Sequence, residues 1–383
     1  MSMVLFDDVK FSDCNKNKKP KTRFNFVLMS ILFSANHGTY AACIALATAR
    51  LGDVGARQSG TWYLAYAASS LFGSTYVVQS LGVRDALILG MWVNCVYVGY
   101  FIAAASNPGI AGHSGGAMVA AAIGGFGGGF VWTAQGSYFG RASEEYARES
   151  LTSIERANAY FAWIFASIYL AEEVILKLLS TVLIKALNIS WFDMFFIYTT
   201  VAIISAACMC FVNKYPNEKK DGKSTLEKLN AAWMLLIYDP KMKYMIFFNA
   251  LFGFSVAFIH SFVSGVVVGI VLSDENSSLV GVLSSTTSAV ASIMSVVLGK
   301  FSERNGNGSA LVVGSVSFFM VAFMFVLKPE LSSWGWGTLL ITYSFQGVGR
   351  ATFEGALRAE FANFFASEKE GAFANIAFQN GLC

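Results

Sequence analysis

Charge is what this sequence has least of. Asp, Glu, Lys and Arg make up 13% of its 383 residues, about half the ~25% of a soluble domain. A chain so lean in charge has too little polar surface to cover itself in water, and an ordinary soluble protein is excluded. Histidine is rarer still, with three residues. No Ser/His/Asp arrangement for nucleophilic chemistry can be assembled from them, and an enzyme is not expected. Cysteine is scattered. Cys14, Cys43, Cys95, Cys208, Cys210 and Cys383 lie mostly inside apolar runs without metal-ligand spacing, so neither metal nor cofactor is expected. The net charge of +3 says little by itself, and no nucleic-acid partner is expected. A cleavable signal peptide is also missing, because the N-terminus is polar and the first apolar run is too long for one.

What is abundant is apolar. The chain is 55% hydrophobic, with a mean hydropathy of +0.54, and its apolar runs are long and do not alternate. That pattern predicts an all-α membrane protein rather than a barrel. Residues 1–23 form a polar, lysine-rich tail. Six spans are expected at about 24–49, 61–81, 86–105, 115–139, 157–184 and 191–212, giving an N-terminal six-helix half over 24–212. A basic central loop covers 213–243 and contains a short apolar piece, 229–238, suited to a membrane surface. Four further spans follow at about 244–272, 279–299, 309–327 and 333–349. An eleventh begins at Gly371 and is cut short at Cys383, so 244–383 is expected to be an incomplete C-terminal half.

The positive charges fall on one side of this pattern. Of the 27 Lys and Arg, 22 lie in the tail and the loops on its side, and 4 in the alternate loops; Lys177 lies inside span five. That imbalance predicts a cytoplasmic tail and central loop. Two glycosylation tripeptides, Asn188-Ile189-Ser190 and Asn276-Ser277-Ser278, fall in loops expected outside.

The two halves echo one another. Gln135-Gly136-Ser137-Tyr138-Phe139-Gly140-Arg141-Ala142-Ser143-Glu144 closes span four, and Gln346-Gly347-Val348-Gly349-Arg350-Ala351-Thr352-Phe353-Glu354 closes span ten. Gly82 to Gly90 matches Gly306 to Gly314, and Ala157-Asn158 matches Ala374-Asn375. Three pairs in the same order predict two pseudo-symmetric six-helix halves.

Gly299-Lys300-Phe301-Ser302-Glu303-Arg304-Asn305-Gly306 resembles the major facilitator superfamily, whose loops after spans two and eight read Gly-x-x-x-Asp/Glu-Arg-x-Gly. The resemblance implies a major-facilitator-type bundle, with Gly299, Glu303, Arg304 and Gly306 as a charge latch between helix ends. The N-terminal copy is degraded, with Gln79 and Ser80 where the charged pair belongs. Val131-Trp132-Thr133-Ala134-Gln135-Gly136-Ser137-Tyr138, Gly347-Val348-Gly349 and Ala372-Phe373-Ala374-Asn375 look similar to the Unc-ninety-three-like group of that superfamily. This likeness implies a multi-pass protein that regulates or escorts an ion channel or receptor. The alternative is a proton-coupled transporter of a small solute.

Candidate residues carry two readings each. Glu172 and Glu173 in span five are costly in a membrane, which suggests a proton or cation site; otherwise they mark the outer interface. Lys177, four residues after Glu173, is placed to pair with it. In the superfamily fold spans one, four, seven and ten line the cavity. Asn36 and His37 in span one then either face that cavity or hydrogen-bond a neighbouring helix. Asn249 and His260 lie in span seven, and for His260 the bland reading is preferred. Gln135 and Gln346 either line the cavity or join helices. Arg141 with Glu144 and Glu145, and Arg350 with Glu354, are expected to be cytoplasmic latches. The glycines from Gly124 to Gly129 are read as close helix packing, and Trp132 and Tyr138 as interfacial anchors.

Overall fold

In hydrocarbon a chain must satisfy its backbone polar groups within itself, so each long apolar run becomes a helix. The computed structural model describes residues 21–106, 111–215, 225–274, 279–366 and 368–383, and among these every regular element is helical. The greater part of the tail and the second glycosylation tripeptide lie outside the described residues. The helices in chain order are α1 Lys21–Leu51, α2 53–81, α3 Val83–Ser106, α4 Ala111–Ser150, α5 154–186 and α6 Trp191–Cys208. After α7 Thr225–Tyr238 come α8 240–272, α9 Val280–Asn305, α10 Asn307–Leu327, α11 336–364 and α12 Lys369–Leu382. The expected spans correspond to α1–α6 and α8–α12.

By length and composition, six helices are apolar enough to cross a membrane: α1, α4, α6, α8, α9 and α10. Helices α5 and α11 have the length but carry ionisable residues along their interiors, and these two build the site. Within the first set α4 packs on α2 and α3, and α1 on α5 and α6; within the second α11 packs on α9 and α10. The sets meet where α5 packs on α9 and α11, α1 on α8, and both α2 and α4 on α12. Helix α7 packs beside α2 and α12, with the Asn375 amide donating to the Ala232 carbonyl at 2.8 Å.

Two glycine features follow from the sequence. Gly82 and Gly306 each end one helix and begin the next, with φ of 88° and 81°, a region that side chains with a Cβ avoid. Their matched positions are the structural counterpart of one of the sequence repeats. The glycines of α4 let it lie against α2 and α3 at backbone distance. A Cβ on Gly127 would sit 2.6 Å from the Val93 side chain, and one on Gly125 would overlap the Trp62 carbonyl. This is the close packing the sequence suggested.

Four helices contain a π-helical turn, and two of those turns matter here. Phe258–Val267 in α8 carries His260, and Phe353–Leu357 in α11 carries Glu354. A wide turn rotates the rest of the helix and is common where a functional group has to be aimed.

Gly125→Val is expected to lower stability by about 1–3 kcal/mol through overpacking against α2, and Gly60→Val, which has open space around it, by much less. Thermal unfolding of the two variants in detergent, followed by tryptophan fluorescence, checks this; equal melting temperatures would contradict the packing role.

Candidate functional site

The centre of the bundle holds a cavity of about 120 Å³ between the two helix sets. Its wall is part aromatic, with Trp62, Tyr66, Trp132, Tyr169, Phe252 and Phe353, and part ionised. The ionisable side chains other than histidine and tyrosine are Glu173, Lys177, Arg350, Glu354 and Arg358.

Two helices supply all five. On α5, Tyr169, Glu173 and Lys177 follow one another at a spacing of four, so they share one face. On α11, Arg350, Glu354 and Arg358 do the same. Arg350 lies fourteen residues from either end of α11, about 21 Å at 1.5 Å per residue, so its charge sits midway along the helix. There it forms a two-pronged pair with Glu173 of the other set, Nη1 to Oε1 at 2.8 Å and Nη2 to Oε2 at 2.5 Å. Its Nη2 also donates to Tyr169 Oη at 2.8 Å. Glu173, 2% exposed, is shared with the Lys177 ammonium. Lys177 Nζ is 3.4 Å from Ser288 Oγ. Tyr169 Oη in turn lies 3.3 Å from His37 Nε2. The chain of contacts thus runs from α1 through α5 to α9 and α11.

The second cluster is built around Arg358. Its Nε lies 3.0 Å from Glu354 Oε2, and its Nη1 donates to Gln135 Oε1 of α4 at 2.7 Å. The guanidinium carbon lies 4.5 Å from the Trp132 ring centroid and 5.5 Å from that of Phe165, the geometry of a cation held on aromatic faces. Trp132 is fixed in turn by Nε1 donating to Tyr40 Oη at 3.2 Å.

The sequence-predicted residues divide between this cavity and other places. His37, Glu173 and Gln346 line it, and Gln135 reaches it through Arg358. Asn36 does not. Neighbouring residues on a helix point about 100° apart, so with His37 inward Asn36 turns to α3 and α6, donating to the Met91 and Ala202 carbonyls at 3.4 and 3.1 Å. The same geometry keeps Glu172 off the wall while Glu173 faces it. Asn249 is also elsewhere, donating to Gln379 Oε1 at 2.6 Å. Because α5 continues past Glu173 to residue 186, the interfacial alternative does not fit that residue.

Arg350 is the largest correction. It was expected in a latch with Glu354 beyond the end of span ten, but α11 continues as helix to Phe364 and carries both residues into the bundle. Glu354 pairs with Arg358 instead. Trp132 is likewise a wall of the cavity and no interfacial anchor. His260, for which the bland reading was preferred, lines the cavity, and its Nδ1, like that of His37, has no hydrogen-bond partner among the described residues. Arg358 was missed altogether. The signal for it was the Arg-Glu-Arg ladder at i, i+4, i+8, which reads as one charged helix face.

Other expected latch residues lie at the helix ends. Arg141 pairs with Glu370 at 3.2 Å, and Glu144 with Lys369, joining α4 to α12; nearby Asn158 Nδ2 donates to Asn363 Oδ1 at 3.0 Å. Glu145 pairs with Arg148 at 3.6 Å. Gly299 is in α9, Gly306 forms the turn after it, and Arg304 is exposed; the side chain of Glu303 lies outside the described residues. In the first half, where Gln79 and Ser80 leave the latch uncharged, Asp85 takes both Lys214 at 2.6 Å and Arg84 at 2.8 Å.

At the opposite end of the bundle the sets touch through small residues. A Cβ on Gly281 of α9 would come within 2.7 Å of the Lys177 carbonyl, and one on Gly265 of α8 within 2.7 Å of the Thr48 side chain. The cavity therefore lies between two zones of inter-set contact.

The chain matches the Major Facilitator Superfamily over residues 24–381. No curated protein matches it by sequence. Among solved structures it is similar to the nucleoside transporter NupG in a mutant form, with a TM-score of 0.63, 11% identity, and coverage of 94% of this chain and 88% of that one. A second NupG structure gives 0.55 and 14%, covering 94% and 89%. The xylose transporter XylE from E. coli, in a partially occluded inward-open conformation, gives 0.59 and 13%, covering 94% and 88%. At these identities the likeness shows the fold.

Glu173→Gln removes the carboxylate shared by two cations and is expected to cost about 3–5 kcal/mol of stability. Glu172→Gln, off the cavity, is expected to cost less than about 1 kcal/mol. Unfolding curves for the two variants check the contrast, and a mild Glu173→Gln phenotype would contradict the central role of the pair.

Proposed function

The chain belongs to the major facilitator superfamily, and on that premise we propose that it is a secondary transporter that moves a small polar solute through the cavity between its two helix sets. The observation that carries this reading is the convergence of five ionised side chains on one interior space. Each charge costs about 2.5–3.5 kcal/mol at the centre of a bilayer, and such residues mark a solute pathway by default. The Glu173–Arg350 pair joins the sets across the cavity, so a rocking of one set against the other has to act on it. The contacts of Arg141, Glu144 and Asn158 with α12 and the end of α11 close one mouth. Given the distribution of Lys and Arg, that mouth is the cytoplasmic one.

An Unc-ninety-three-like escort has no need of a charged interior, and that likeness rests on short sequence segments; the cavity supports the transporter reading over it. The structural neighbours named above, transporters of nucleosides and of xylose, support the same class. Coupling to protons has less support, since Glu173 is tied to two cations and Glu172 is off the wall.

Reconstituted into liposomes, the protein is expected to take up at least one member of a panel of nucleosides, pentoses, amino acids and organic acids above the protein-free level. Arg350→Gln should cut that uptake by about ten-fold or more, the effect of losing one strong charged contact, while Glu330→Gln at an exposed site leaves it unchanged. Absence of any uptake, together with co-purification of a channel subunit from native membranes, would overturn the proposal.

A further inference from the structure

The cavity is unbalanced in charge. Its wall carries two carboxylates, Glu173 and Glu354, against three cations, Lys177, Arg350 and Arg358. Glu354 is matched one to one with Arg358, but Glu173 is matched with both Arg350 and Lys177. One positive charge is left over, on a wall buried between packed helices. A charge in such a place is expensive until an opposite charge joins it.

We infer that the solute is a small organic monoanion, a carboxylate joined to a flat apolar or aromatic body. This rests on the transporter reading and specifies its substrate. A monoanion brings the ionised wall to neutrality. A neutral solute leaves the surplus charge buried, and a cation doubles it. Protonation of either glutamate adds to the surplus, so proton uptake does not replace the anion. Guanidinium forks are suited to a carboxylate, and Arg358 is already oriented for one. Trp132 and Phe165 flank its guanidinium and Gln135 accepts from its Nη1, while its Nε, 3.0 Å from Glu354 Oε2 as an ion pair, makes no hydrogen bond among the described residues. The flat body is inferred from the aromatic part of the wall, where Phe252 and Phe353 stack in parallel at 3.8 Å and Trp62 and Tyr66 at 5.1 Å, a lining suited to a planar group.

Equilibrium dialysis of the full chain in lipid nanodiscs against radiolabelled benzoate, neutral benzamide and cationic benzylamine tests this. Benzoate should bind about ten-fold or more tightly than benzamide, the worth of one charge-assisted contact, and benzylamine should not displace it. Lys177→Met leaves two cations against two carboxylates and keeps Arg350 on Glu173, so the preference should fall to within about three-fold. Glu354→Gln, which adds to the surplus, should instead raise affinity for the dianion phthalate. Benzamide binding as well as benzoate, no binding of any of the three probes, or an unaltered preference in a folded Lys177→Met protein would each overturn the inference. Uptake of the same probes into liposomes reads the other proposal. Benzoate bound but not moved keeps the anion site and sinks transport. Uptake without charge discrimination keeps transport and sinks the anion site.

Discussion

The structure depends on a carboxylate with two claimants. Glu173 is buried in the middle of the bundle, and a carboxylate there persists only if its partners supply what water would have supplied. Arg350 does so from the other helix set with two parallel hydrogen bonds, and Lys177 does so from the same helix. The remaining polar groups of the region are arranged around that need: Tyr169 on the second face of Arg350, Ser288 beside Lys177, His37 behind Tyr169. Hence the packing of α5 on α9 and α11 is tied to one ion cluster, and the inter-set contact is as much electrostatic as apolar.

The polar contacts near the end of α4 are of another kind. Arg141 with Glu370 and Lys369 with Glu144 lie nearer the surface, yet they are largely covered, with Arg141 and Glu370 12% and 14% exposed. Breaking a buried pair by removing one partner costs about 3–5 kcal/mol. A movement that separates the sets at that end can leave Glu173 on Arg350, but it has to break these pairs and the Asn158–Asn363 hydrogen bond. At the other end the sets are held by shape, with Gly281 and Gly265 permitting backbone-close approach, and no charge has to be desolvated or released there. The two mouths are sealed by different physics, one by ion pairs and an amide pair, the other by small residues.

Much of the fold was legible because membrane helices announce themselves by length. Helices occupy all ten long apolar runs and the start of the eleventh, although α4 and α11 run well past the expected ends, and the glycines of α4 pack as their spacing implied. The site was less legible, for a reason that lies in the same rule. A helix that carries ionised residues toward a cavity loses its apolar signature at the point where it becomes functional. The expected span ten stops at residue 349, one position before Arg350, whereas α11 continues to Phe364. Hydropathy read the charged ladder Arg350, Glu354, Arg358 as the beginning of a loop. In α5 the apolar residues around Glu173 were dense enough to keep the span intact, and Glu173 and Lys177 were found. Pairing across the sets, which decides what each charge does, has no one-dimensional signature.

The repeated Gln-Gly signature shows how an echo in sequence can mislead about place. From Gln135 to Arg141 is six residues, and from Gln346 to Arg350 only four. In a helix two residues shift a side chain by about 3 Å along the axis and about 200° around it. When the glutamines occupy comparable depths, the arginines cannot. Arg141 meets Glu370 at the start of α12, while Arg350 meets Glu173 on the cavity wall. The glutamines diverge as well: Gln135 accepts from Arg358 across the sets, and Gln346 accepts from Ser255 within its own. A spacer shorter by two residues thus puts the second arginine at another depth and on another face of its helix, and that difference in length contributes to the asymmetry of the site between the two halves.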